Sequence, residues 1–198
     1  ITLLLKKQTA DGHGSGDTRL EGAEYTVKYY DILSDIDPAI AGNEAKYTWI
    51  FRTNERGYIF LADNYLVTGS DGLVKDISGM YTLPLGTITL QETKAPEGYL
   101  LNDTVYVAQT VLDSGNNTVR TTNLPTDDNA AQETPYEGTI SIQKFLGGST
   151  VKTSEPDAEF EIYLTSAGSY DAAPEESRQT ITTDANGYAI TKRLPYGT

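Results

Sequence analysis

Apolar side chains recur along this chain at every second position rather than every third or fourth, and that period commits it to strands half buried against a core. Ile1, Leu3 and Leu5 alternate in the first segment, and Ala23, Tyr25, Val27 and Tyr29 in the next. The spacing predicts further strands over 46–53 (Tyr47, Trp49, Phe51), 57–61, 86–93 (Ile88, Leu90), 104–111 and 118–123. Turn-forming clusters at 11–17, 70–72 and 113–117 supply residues that tolerate positive φ or cap turns with side-chain oxygens. Pro38 followed by Ala39, Ile40 and Ala41 suggests one short helical turn within 37–46. The expected fold class is all-β.

Composition narrows the function. With 28 acidic against 15 basic side chains, a net charge of −13 repels polyphosphate and anionic membranes, so neither nucleic acid nor membrane insertion is expected. Without cysteine there is no disulfide, thiol nucleophile or thiolate metal site, and a single His makes a His-based triad or zinc cluster implausible. No cofactor is expected. No apolar run approaches the length of a membrane span, and the residues from Ile1 onward show neither the basic nor the apolar stretch of a secretion signal.

The second half resembles the first. GAEYTVKYY (22–30) recurs as DAEFEIYL (157–164), TNERGY (53–58) as TDANGY (183–188), and LPLGT (83–87) as LPYGT (194–198), which indicates a tandem repeat. The step from the Tyr of the GY block to the Leu of the LPxGT block is 25 positions in the first copy (Tyr58 to Leu83) and 6 in the second (Tyr188 to Leu194), so the first carries an insertion. The polar, proline-bounded stretch PTDDNAAQETP (125–135) reads as a linker. The expected organisation is a first sandwich over 1–125, a linker over 126–137 and a partial second sandwich over 138–198, lacking the strands that follow LPLGT in the first copy.

Three residue types in the first copy stand where an amide cross-link would need them. Lys7 continues the alternation of Ile1, Leu3 and Leu5, and Glu92 that of Ile88 and Leu90, so both are expected to face inward. Asn123 ends the last expected strand. Burial disfavours the charged form of an amine and of a carboxyl, leaving a nucleophile and a proton-relaying acid beside a carboxamide. Fixed proximity makes the reaction effectively unimolecular. The competing reading is three solvated residues at strand ends. Lys6 adjoins Lys7, and a slip of one residue would exchange their faces; Ile140, Ile142 and Lys144 in the second copy repeat the spacing that favours Lys7.

ETKAPEGY (92–99), preceded by LPLGTITLQ and LEGAEYTV (20–27), resembles the prealbumin-like B-type repeat of Gram-positive collagen adhesins and SpaA-type pilins. That resemblance implies tandem antiparallel sandwiches of prealbumin-like, reverse Ig-like form. It also implies a bond from Lys7 to Asn123 promoted by Glu92, with Lys144 as the corresponding lysine of the second copy. The implied function is a structural stalk segment of a cell-wall-attached, extracellular adhesin or pilus protein, not an enzyme beyond its own single-turnover cross-link. The implied partners are neighbouring domains of the same surface protein and host matrix or glycan. A loop of about 100 residues closed by such a bond gains about 4.7 kcal/mol on the loop-entropy reasoning developed for disulfides.

Two rival functions stay open. One is a ligand-binding module recognising a host protein or glycan through the inserted segment, with Tyr65 and Asp71; the other is a polysaccharide-cleaving enzyme built on two carboxylates. Other features have plainer readings. LPYGT inverts the last letters of a sorting signal, His13 sits in a glycine-rich loop, and Asp127, Asp128 and Asn129 lack calcium-loop spacing. The sequons at Asn102 and Asn116 arise readily by chance, and Tyr47, Trp49 and Phe51 read as a core stripe rather than a sugar platform.

Overall fold

The computed structural model describes residues 2–9, 20–113, 115, 118–126, 129–148 and 151–197. Two compact units divide the chain, with the boundary between Thr134 and Pro135. The architecture is all-β, with helical structure among the described residues limited to short 3-10 turns such as Pro38–Ala41, where the Asp37 side chain accepts from the Ala39 N–H.

The first unit is a sandwich. Strands β1 (Leu3–Thr9), β2 (Glu24–Tyr30), β3 (Tyr47–Arg52), β4 (Tyr58–Phe60), β5 (Gly86–Lys94), β6 (Val105–Asp113), β7 (Thr118–Thr122) and β8 (Ala131–Glu133) follow in chain order. Five of them make one antiparallel sheet, ordered β3-β2-β5-β6-β7, and three make a second, ordered β4-β1-β8. The inward faces carry the expected alternation: Tyr25, Val27, Trp49, Phe51, Ile88, Leu90 and Ala108 pack with Leu4, Leu5, Ile59 and Ala131 in one core. Trp49 and Phe51 belong to that core, while Tyr47 stands at its rim, 38% exposed and stacked on Trp49.

Two departures from strict alternation have local causes. A register shift between Leu3 and Leu5 against β4 turns Leu4 and Leu5 both inward. Central strand β5 is buried on both faces because the segment after β2 folds back over it. There the Thr87 hydroxyl donates to the Ile32 carbonyl and accepts from the Ser34 N–H.

The inserted segment covers the β3 edge instead of forming a free loop. Val67 N–H donates to the Ile50 carbonyl, Asp71 Oδ2 accepts from the Thr48 N–H at 2.7 Å, and the Trp49 indole donates to the Gly72 carbonyl. Tyr65, Leu66, Leu73 and Val74 pack against the core. Backbone groups that would otherwise template aggregation are thereby paired.

The expected linker over 126–137 needs correction. Residues 131–133 form β8, which pairs in parallel with β1 (Lys7 with Ala131, Thr9 with Glu133), so the first sandwich extends to the unit boundary. Its buried side chains, Ala131 and Glu133, alternate over three residues only, too short a run to show a period.

The second unit carries β9 (Glu137–Gly138), β10 (Ser141–Gln143), β11 (Glu159–Ile162), β12 (Gln179–Thr182), β13 (Tyr188–Ile190) and β14 (Leu194–Pro195). They pair as three two-stranded ladders, β10 with β13, β11 with β12, and β9 with β14. One piece of architecture recurs bond for bond. In the first unit Thr53 N–H donates to the Ala23 carbonyl and its carbonyl accepts from Gly22 N–H, while its hydroxyl accepts from Ala23 N–H and donates to the Leu20 carbonyl; in the second, Thr183 makes the same bonds with Ala158, Asp157 and Glu155. The Asn54 and Asp184 side chains each accept two backbone N–H groups in the turn that follows.

Candidate functional site

The site grows out of the β1–β4 pairing. Asn54 holds a turn that ends in Gly57 at φ 75°, a left-handed conformation that glycine adopts without strain. The Gly57 carbonyl accepts from Lys7 N–H at 2.9 Å, and a Cβ at Gly57 would lie 3.0 Å from the Lys7 carbonyl oxygen. This close approach sets the phase of β1. Lys7 turns inward, 1% exposed, whereas Lys6 is only half-buried and its N–H donates to the Pro125 carbonyl.

Inside, the Lys7 ammonium meets two carboxylates. Nζ pairs with Glu92 Oε1 from β5 and lies 2.5 Å from Glu133 Oε1 of β8, and all three side chains are 0% exposed. The two acids are held differently. Glu92 Oε1 accepts from Lys7 and its Oε2 from the Asn102 N–H at 2.8 Å, so both oxygens are occupied. Asn102 in turn donates from its side chain to the Gln132 carbonyl of β8, fastening the Glu92 support to the strand that carries Glu133. Neither Glu133 oxygen has an aligned hydrogen-bond partner among the described residues; its approach to Lys7 is an ion contact.

Burial pushes the Glu133 carboxyl up to about 7; the charge and close approach of Lys7 pull against this and the Glu92 charge adds to it. Tyr25 completes the pocket. Lys7 Nζ sits 5.1 Å from its ring centroid, and its buried hydroxyl has no hydrogen-bond partner among the described residues. Desolvation, then the Glu92 and Glu133 charges, raise the pKa of that hydroxyl, keeping it a proton donor.

Of the three residues expected to converge, the structure brings Lys7 and Glu92 together and leaves Asn123 outside. Asn123 is exposed at φ 60°, in the turn where the chain leaves β7 and passes through Leu124 and Pro125 toward β1. A left-handed corner is a position that Asn fills readily. The residue that the sequence reading missed is Glu133.

Lys144 keeps the backbone geometry of Lys7 but not its surroundings. Its N–H donates to the Gly187 carbonyl at 2.8 Å, as Lys7 does to Gly57, yet its side chain is 40% exposed and pairs with a Glu155 side chain that is 33% exposed. In the inserted segment, Asp71 caps β3 and the Tyr65 hydroxyl accepts from Asn54, so both serve the fold. His13, Asp127, Asp128 and Asn116 lie outside the described residues. Among the described residues no cluster of His, Cys, Asp and Glu could hold a metal, and no helix is long and apolar enough to cross a membrane.

A family model described as the SpaA prealbumin-like fold domain matches residues 5–125. Among curated proteins none matches the chain. Among solved structures, the Bacillus anthracis TIE protein is similar over 98% of this chain and 26% of its own length, with a TM-score of 0.50 at 19% identity. A C-terminal fragment of the pilus adhesin SpaC from Lactobacillus rhamnosus GG is similar over 96% of this chain and 70% of its own, with a TM-score of 0.45 at 16% identity. The chain thus spans about a quarter of the length of the TIE protein, and the likeness is one of fold.

Proposed function

The chain belongs to the SpaA prealbumin-like domain family, and from that premise we propose that it is a structural stalk segment of a Gram-positive surface adhesin or pilus protein. The observation that carries this reading is the arrangement of the terminal strands of the first unit. β1 and β8 lie side by side and parallel, with Lys7 reaching from one to the acid of the other. A pull on the two ends draws β1 toward its start and β8 toward its end, in opposite directions along one ladder. The ladder bonds are then sheared together instead of being peeled one at a time, and the buried Lys7 contact must break with them.

Neighbouring domains of the same surface protein are the partners in this reading, and the location is extracellular, attached to the cell wall. The recurrence of the Thr53 latch at Thr183 supports treating the second unit as another copy of the module. The role in this reading is mechanical: Glu92 and Glu133, the only buried acids among the described residues, are sealed from solvent against a lysine.

Force spectroscopy tests the reading. Pulled end to end, the first unit should yield at several-fold higher force than when pulled across the β6–β7 turn, or should not yield at all. Equal or lower resistance end to end overturns it.

A further inference from the structure

We propose that the second unit holds a binding site for a sugar bearing one carboxylate, such as a terminal sialic or uronic acid of a glycan, in a hollow beside the start of β12. The site goes beyond the stalk reading and does not depend on it.

The hollow measures about 740 Å³ and lies where the segment 170–178, the start of β12 and residues 192–193 meet. Arg178, Lys192 and Arg193 line it, with Glu175 as the one acid of its wall among the described residues. The chain carries a net charge of −13, and beyond the unit boundary its only other basic side chains are Lys144 and Lys152. Most of the positive charge of the second unit is therefore gathered at one place.

Arg178 is held ready for an anion. Its Cζ lies 5.1 Å from the centroid of the Tyr170 ring, and its Nη1 donates to the Tyr170 and Asp171 carbonyls at 2.9 and 3.1 Å. Those bonds leave the Nε and Nη2 side of the guanidinium as a fork that no carboxylate fills among the described residues. A fork already fixed by packing loses little freedom when it binds. The Gln179 side chain sets the opposite wall. Its Oε1 accepts from Lys192 N–H at 2.7 Å and its Nε2 donates to the Arg193 carbonyl at 3.5 Å, which fixes the backbone from which both cations extend. Arg193 reaches Glu137 only at 3.6 Å, with its side chain 79% exposed, and this screened pair leaves its charge available.

The chemistry of the lining chooses the ligand. It includes no aliphatic side chain among the described residues, so there is no apolar wall on which a peptide side chain would be buried. Its neutral groups are the Gln179 amide and the Tyr170 and Thr180 hydroxyls, 2.8 Å apart, and each hydroxyl keeps hydrogen-bonding capacity for the hydroxyls of a sugar. Charge sets the limit of one carboxylate. An extended polyanion would lie against the acidic surface around the hollow as well as in it. A ligand with a single charge meets chiefly the three cations, whose field is screened beyond about 8 Å at physiological salt.

NMR titration of the full chain, nitrogen-labelled, tests the site. The probes are sialyllactose and a disaccharide ending in glucuronic acid, with lactose as the uncharged counterpart and a heparin oligosaccharide as the polyanion. An acidic probe should bind with a dissociation constant of about 1 mM or tighter and shift the amide signals of Arg178, Gln179, Lys192 and Arg193, while lactose shifts none of them. Lys192→Ala/Arg193→Ala, which removes two exposed side chains, should weaken that binding about tenfold or more. Arg178→Lys, which keeps the charge and loses the fork, should weaken it comparably. The proposal is overturned by no shift with either acidic probe, by lactose binding as well as they do, by tighter binding of the heparin oligosaccharide, or by full affinity in Lys192→Ala/Arg193→Ala. That double variant decides even if Arg178→Lys fails to fold.

Discussion

Removing Lys7 exposes the electrostatics of the buried cluster. Lys7→Met leaves Glu92 and Glu133 sealed in the core without a cation. In the intact cluster the Glu133 carboxyl already titrates near 7 against an ordinary 4.5, and Lys7 is one of the influences holding it down, so that shift is a floor for the variant. At 1.36 kcal/mol per pKa unit the floor is about 3 kcal/mol. The folded chain keeps a proton that the unfolded chain releases. Stability is therefore fully present below about 4.5, falls as the pH rises, and is down by about 3 kcal/mol once the pH has passed the folded value. The comparison protein is Lys7→Met/Glu133→Gln, which equally lacks the cation but also lacks the titrating group. Urea unfolding of both between about pH 5 and about pH 8 should show the single variant losing about 3 kcal/mol relative to the double. A difference that stays constant within about 0.5 kcal/mol across that range refutes the argument, because Glu133 would then not be a buried acid.

The remaining expectations concern positions around the cluster. Lys144→Ala should change stability by less than about 1 kcal/mol in chemical denaturation, because the Lys144–Glu155 pair is part-exposed and solvent-screened. Gly57→Ala should cost about 1–2 kcal/mol and lower the melting temperature, since the new side chain must hold φ 75° with its Cβ 3.0 Å from the Lys7 carbonyl oxygen. Asn123→Gly should be neutral within about 0.5 kcal/mol in chemical denaturation, glycine filling the left-handed corner as well as asparagine does.

Much of the sandwich is legible in the pattern because an inward face repeats every second residue wherever a strand is long enough. β2 and β3 show this plainly, and Lys7 and Glu92 face inward as their spacing from Leu5 and from Leu90 predicts, although β1 and β5 depart from strict alternation elsewhere. The pattern fails where tertiary contacts change the rule. In β5, Thr87 and Thr89 are buried on the supposed outer face because a neighbouring segment lies over it. At Asn123 a strand pattern ends in a left-handed corner that no side-chain period announces. At β8, three residues between a turn and Pro135 carry too few positions to reveal an alternation, and their polarity mimics a linker.

What the sequence by itself determined is therefore the class of structure and two thirds of the buried cluster: strand period, repeated blocks, an inward lysine and an inward glutamate all follow from local spacing. Tertiary structure alone decided the third member. Whether Asn123 or Glu133 stands beside Lys7 depends on where the chain turns after β7 and which strand returns to lie along β1. That choice is made by the left-handed corner at Asn123, the Lys6 to Pro125 hydrogen bond and the parallel pairing of β8. Those contacts lie more than a hundred residues apart along the chain, and spacing carries information only about near neighbours, so the partner of a buried charge is settled by the fold that encloses it.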